Sequence, residues 1–128
     1  MILLLDTHVV LWAAYAPDQL TPDLRTELAD ERNSLLFSAA SIWEVAIKAA
    51  TGRSGFTADA RVLRRALIEN GYAELPITGA HAAAVADLPP RHRDPFDRLL
   101  VAQSRVEGVQ FLTVDQQVAG YGPPVRLC

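Results

Sequence analysis

The chain has 128 residues, half of them hydrophobic, one cysteine and a net charge of −3. That is one domain with apolar content for a packed core, which excludes a disordered chain, and no apolar run approaches the ~20 residues of a membrane span. Cys128 alone excludes an internal disulfide, the short N-terminal apolar run lacks the basic start of a secretory signal, and both point to the cytoplasm.

Ile2–Leu5 is a continuous apolar run of strand length, as expected of a strand buried on both faces of a parallel sheet. It ends in Asp6, and the stripe Val9, Val10, Ala13 then predicts a helix to about Tyr15, stopped before Pro17. Thr21-Pro22 opens a second helix as cap and first residue, with Leu24 and Leu28 inward. Ser34–Ser38 reads as a strand, and Ser41–Ala50 as a helix with Ile42, Val45, Ala46 and Ala49 at core spacing.

Thr51–Gly55 (TGRSG) has glycines but neither the pattern of a phosphate-binding loop nor a preceding strand, so it reads as a turn. Thr57–Asn70 predicts a helix closed by Gly71, Ala73–Ile77 a short strand broken by Pro76, and Thr78–Asp87 a small alanine-rich helix. Asp94 caps a further helix with Pro95 at its first position and Gly108 at its end. Gln110–Val114 is a strand ending in Asp115; a short helix, the turn Gly120–Pro124 and a last strand Val125–Leu127 follow. Strands alternating with helices predict a parallel α/β sheet.

Two strands thus end alike, ILLLD at Asp6 and FLTVD at Asp115. Glu44 and Asp97 stand near the starts of helices, and both features face the carboxyl edge of a parallel sheet, where such folds bind ligands. Each acid also has a structural explanation. Asp6 and Asp115 suit caps or turns, Glu44 and Lys48 suit an i,i+4 ion pair, and Asp94 with Asp97 suits a capping box. Four acids at one edge are harder to explain this way. Two like charges ~4 Å apart repel by about 4 kcal/mol at an effective dielectric of 20, against a domain stability of about 5–15 kcal/mol. Either protons are retained or a cation is present, and an all-carboxylate site suits Mg²⁺ or Mn²⁺ rather than zinc. His8 and His92 lack ligand spacing, and no serine–histidine nucleophile, GxGxxG or CxxC pattern is present.

The pieces LLLDTHVVLW, SAASIWEVAIK, RDPFDRLLVAQ and FLTVD, in this order and spanning nearly the whole chain, resemble the PIN-domain family and within it the VapC ribonuclease toxins of VapBC toxin–antitoxin pairs. The resemblance implies a single PIN domain over residues 1–128, a three-layer α/β fold with a four- to five-stranded parallel sheet and helices on both faces. It implies Mg²⁺- or Mn²⁺-dependent endoribonuclease activity, an RNA substrate, a cognate antitoxin and a homodimer, with no membrane association. Carried onto this chain, Asp6, Glu44, Asp97 and Asp115 match the catalytic and metal-binding quartet. Asp97 takes the third place because it stands five residues before Ala102. Asp94 is a cap, a supporting group or a further ligand, and Thr7 and Thr113 match hydroxyl positions that support the carboxylates.

Eleven of the twelve basic residues are arginine, which reflects either genome composition or phosphate binding. Arg91, Arg93 and Arg98 bracket Asp94 and Asp97 and are the candidates to contact RNA phosphates; as loop residues, Arg91 and Arg93 equally suit a solvated surface. Trp12 and Trp43 line either a groove or, as their apolar helix faces favour, the core. A phosphoacceptor domain would need a lysine at a late strand end, yet Lys48 is the only lysine and lies on a helix. A phosphatase would need D-x-D, where this chain has Asp6-Thr7-His8. The remaining rival is a PIN-like domain that binds RNA or protein without cutting.

Overall fold

Strand β1 (Ile2–Leu5) runs through the middle of a wholly parallel sheet of order β3-β2-β1-β4-β5 in the computed structural model, which describes residues 1–52, 58–91 and 94–128. Its neighbours are β2 (Ser34–Ser38) and β4 (Gln110–Thr113), with β3 (Ala73–Leu75) and β5 (Val125–Leu127) at the edges. Leu5 is level with Phe37 on one side and Leu112 on the other. Leu3, Leu4 and Leu5 are fully buried, which explains why β1 is an unbroken leucine run rather than an alternating one.

The pleat sends these leucines to two cores. Leu4 packs with Leu99, Leu100, Phe111, Val118 and Tyr121, on the side of α6 (Pro95–Glu107) and α7 (Gln116–Ala119). Leu3 and Leu5 pack with Val9, Leu24, Phe37, Val45 and Leu63, on the side of α1 (Thr7–Tyr15), α2 (Pro22–Ala29) and α4 (Ala60–Glu69). Helix α3 (Ala39–Ala50) contributes Ala40 to the first core and Val45 to the second. Helices on both faces of a five-stranded parallel sheet are the architecture expected. Among the described residues no helix is long and apolar enough to cross a membrane.

Several boundaries shift for local reasons. Helix α3 begins two residues before the predicted Ser41, because Ser38 both ends β2 and caps the helix by accepting from Ala40 N–H. Asp59 rather than Thr57 starts α4, accepting from Arg61 and Val62 N–H; Thr57 and most of the TGRSG turn lie outside the described residues. The segment after β3 splits into α5 (Gly79–Ala84) and a 3-10 turn, Val85–Asp87. A second 3-10 turn, Pro17–Gln19, was not predicted. Gly108 closes α6 at φ +67°, a left-handed conformation that glycine adopts without steric cost.

Strand order reverses at β1: the chain steps outward through β2 and β3, then returns to the other side of β1 with β4. The crevice between the carboxyl ends of β1 and β4 is therefore a topological switch point, the place where such sheets bind ligands. Asp6 and Asp115 flank it.

Candidate active site

Asp6 is 3% exposed at the end of β1. The Thr113 hydroxyl donates to its Oδ2 at 2.6 Å and accepts from Asp115 N–H at 3.1 Å. One side chain thus ties the ends of β1 and β4 together across the switch point and orients a buried carboxylate. Burial raises the Asp6 pKa above the usual carboxylate range, against the lowering effect of the Thr113 bond. Thr7 behaves differently from the expectation. Its hydroxyl lies 2.8 Å from Ser41 Oγ, fastening α1 to α3, and it is its backbone N–H that serves Asp6.

Glu44 sits on α3, 2% exposed, with Lys48 donating to Oε2 one helical turn away. The i,i+4 pair that the spacing suggests is present and largely buried. Among the described residues the other carboxylate oxygen, Oε1, has no hydrogen-bond partner. An orphaned anionic oxygen in a buried position is costly unless something cationic or a donor meets it.

Asp97, in the first turn of α6, is pushed up to about pH 8 by burial first, then by the charges of Asp6, Asp94, Glu44 and Asp115. Three of these four charges, on Asp6, Glu44 and Asp115, belong to acids that the sequence placed with Asp97 at one edge, and Asp94 adds the fourth. Asp94 is the N-cap of α6: its Oδ1 accepts from Phe96 N–H at 2.9 Å and Asp97 N–H at 3.1 Å. Asp115, exposed, caps α7 in the same way through Gln117 N–H at 2.8 Å. Asp94→Ala is expected to cost about 0.5–2 kcal/mol of stability, and Asp94→Asn, which keeps the cap, very little. Urea midpoints check this. For the cleavage that the family resemblance implies, a loss in Asp94→Asn as complete as in Asp97→Asn would instead make Asp94 a ligand.

The donor set is hard oxygen, without cysteine or histidine, which is the chemistry of Mg²⁺ or Mn²⁺. As placed, Asp6 turns to Thr113 and Glu44 to Lys48, and among the described residues no three acidic, histidine or cysteine side chains stand close enough to hold an ion. The fit therefore rests on the donor chemistry, the unpartnered Glu44 oxygen and the mutual repulsion at Asp97.

The predicted arginines divide. Arg98 is a strut: its guanidinium donates to Pro89 O, the Tyr121 hydroxyl and Val85 O, fastening the segment before α6 to that helix rather than presenting a cation to solvent. Arg91 is exposed, with its guanidinium laid over Gly120, where any side chain would collide with it. Arg93 and His92 lie outside the described residues. Trp12 is half-buried, its ring 6.2 Å from that of His8. Trp43, which its helix face favoured for the core, is 52% exposed.

A buried polar chain supports α3 that the sequence did not reveal. Ser38 donates to Gln103 Oε1, and the Gln103 amide reaches Pro76 O and His81 Nδ1. His81, 1% exposed, accepts from Thr78 N–H at Nδ1, leaving Nε2 to meet Glu107 at 2.7 Å. The available signal was Gln103 itself, a polar residue directly after the apolar stretch 99–102 of α6. What it bonds to, 65 residues away, was not readable.

Residues 3–122 match the family model described as PIN domain. No curated protein matches the sequence. Among solved structures, VapBC2 from Rickettsia felis, bound to a DNA fragment from its promoter, aligns with TM-score 0.68 at 14% identity, covering 100% of this chain and 98% of that one. FitAcB from Neisseria gonorrhoeae aligns with TM-score 0.65 at 20% identity, covering 99% and 96%. VapC20 from Mycobacterium tuberculosis, described as a sarcin-ricin loop cleaving toxin, aligns with TM-score 0.67 at 15% identity over 94% and 95%. At these identities the likeness is one of fold.

Proposed function

The chain belongs to the PIN-domain family, and on that premise we propose that it is a divalent-metal-dependent endoribonuclease, the toxin of a toxin–antitoxin pair. The observation that carries the reading is the convergence of acids on Asp97, whose carboxyl is pushed up to about pH 8 by burial and four neighbouring carboxylates. A fold needs no such repulsion for stability. The toxin part draws support from the neighbours of like fold, several of which are toxin–antitoxin complexes.

Asp6 and Asp97 would hold the ion, with Glu44 and Asp115 completing its surroundings and Asp94 as cap beside them. When bound, Mg²⁺ or Mn²⁺ supplies Lewis acidity toward the phosphodiester and lowers the pKa of water to a useful range. The chain's own residues prepare that chemistry. Thr113 fixes the orientation of Asp6, and Lys48 holds Glu44 in place. Thr7 with Ser41 keeps α1 and α3, the carriers of these groups, in register. Arg91, which is exposed, is the proposed contact for an RNA phosphate. The reading includes an RNA substrate met in the cytoplasm, a cognate antitoxin, a homodimer and a single domain over residues 1–128.

The Glu44–Lys48 pair favours one rival, a PIN domain that binds without cutting, because a lysine already satisfies half of that carboxylate. Incubating purified protein with total RNA in Mn²⁺, then mapping new 5′ ends, separates the two. We expect discrete cuts that vanish with EDTA and in an Asp6→Asn control. RNA left intact, in a preparation that nonetheless retards it on a gel, would establish the binding-only reading.

A further inference from the structure

An exposed tryptophan beside a buried acid cluster needs a reason. Trp43 precedes Glu44 and Phe96 precedes Asp97, so the two aromatic rings are chain neighbours of two of the site carboxylates. Their centroids are 4.9 Å apart at 72°, a T-shaped contact. Lys48, the partner of Glu44, sits 5.9 Å over the Phe96 ring. The rings are thus continuous with the ion pair that holds the catalytic glutamate. Phe96 also lines a cleft of about 260 Å³ with Ile47, Lys48, Thr51, Asp94 and Pro95.

We propose that Trp43, braced by Phe96, is a stacking platform for one nucleobase of single-stranded RNA next to the scissile phosphate. This rests on the ribonuclease reading above. A large aromatic surface left 52% exposed keeps apolar area in water that burial would favour covering. An exposed aromatic ring tied through Phe96 and Lys48 to Glu44 suits a base better than an aliphatic partner, because every base has a π-face. Stacking is also indifferent to net charge. It therefore supplies RNA affinity where an acidic protein of net charge −3 cannot draw on general electrostatic attraction.

The test uses an Asp97→Asn background, which keeps RNA uncut, and a short fluorescein-labelled single-stranded oligoribonucleotide of mixed sequence. Trp43→Leu should weaken binding about 5- to 150-fold, the effect of losing one base–aromatic stack. The salt dependence should keep its slope, since no phosphate contact is lost. Trp43→Phe should recover most of the affinity. With Trp12 replaced by phenylalanine, the fluorescence of Trp43 should fall on RNA binding. Unchanged affinity in Trp43→Leu overturns the proposal, as does equal weakening by Leu and Phe, which would mean lost packing on Phe96. If Trp43→Leu dissociates a dimer in sedimentation while RNA affinity stays the same, the face belongs to a second copy and the proposal falls. Absence of both cutting and RNA binding in the unmodified protein would instead remove the ribonuclease reading beneath it.

Discussion

Asp97→Asn is expected to lower cleavage by about 10²–10⁴-fold, the scale of a positioned catalytic group or metal ligand, and at the same time to make the metal-free protein more stable. The second half follows from the sign of the shift. Asp97 keeps its proton to about pH 8 in the fold, whereas its unperturbed value is 3.8. Between those values folding takes up a proton, so stability is highest at the acid end of the window and falls as pH rises through it. Asparagine removes both the repulsion and the slope. With part of the effect lost to solvent screening, the gain at pH 8 is about 1–3 kcal/mol. Thermal melts from pH 5 to pH 8 without divalent ions check it: the parent should soften toward alkaline pH more than the variant does. A variant that loses cleavage because it is less stable at every pH would show Asp97 to be a structural residue.

The second large effect is the response to cations. An ion that binds only the folded state at a hundred times its Kd stabilises it by about 2.7 kcal/mol, which for a chain of this size is roughly 10 °C in Tm. Mn²⁺ or Mg²⁺ should therefore raise Tm, and more at pH 8 than at pH 5, because at low pH the ion must displace the proton on Asp97. Asp6→Asn should remove most of the rise. Identical melts in EDTA and in excess Mn²⁺ would leave the acids to be explained by some other partner. In that event the Glu44–Lys48 pair would be the arrangement to start from.

The parts of this molecule that sequence disclosed are those governed by neighbours in the chain. A leucine run stopped by Asp6, Thr21-Pro22 at a helix start and Gly108 at a helix end each carry their cause within a few residues. The acids were legible because strand ends and helix starts share an edge in any parallel sheet. What stayed hidden depends on distant partners. Arg98 lies beside Asp97 in sequence, yet its guanidinium is drawn to Pro89 and Tyr121. Trp43 and Ile42 are both apolar and adjacent, and only the packed fold decides that Ile42 meets the core while Trp43 stays exposed. Ala46, at core spacing on α3, is exposed as well. Ser38, Gln103 and His81 are far apart in the chain and only packing joins them.

The hydrogen bond from Thr113 to Asp6 also sets a clock on biosynthesis. Its partners are 107 residues apart. At about 5–20 residues per second, a ribosome releases the first carboxylate several seconds before the strand that orients it. Through that interval β1 has no β4 beside it, and the acids on the nascent chain have no common edge to share. A message broken or a ribosome stalled between Asp97 and Thr113 yields a chain with Asp6, Glu44 and Asp97 but without the tie across the switch point. On the ribonuclease reading proposed above, this late closure would leave a chain that ends before Thr113 without an assembled site.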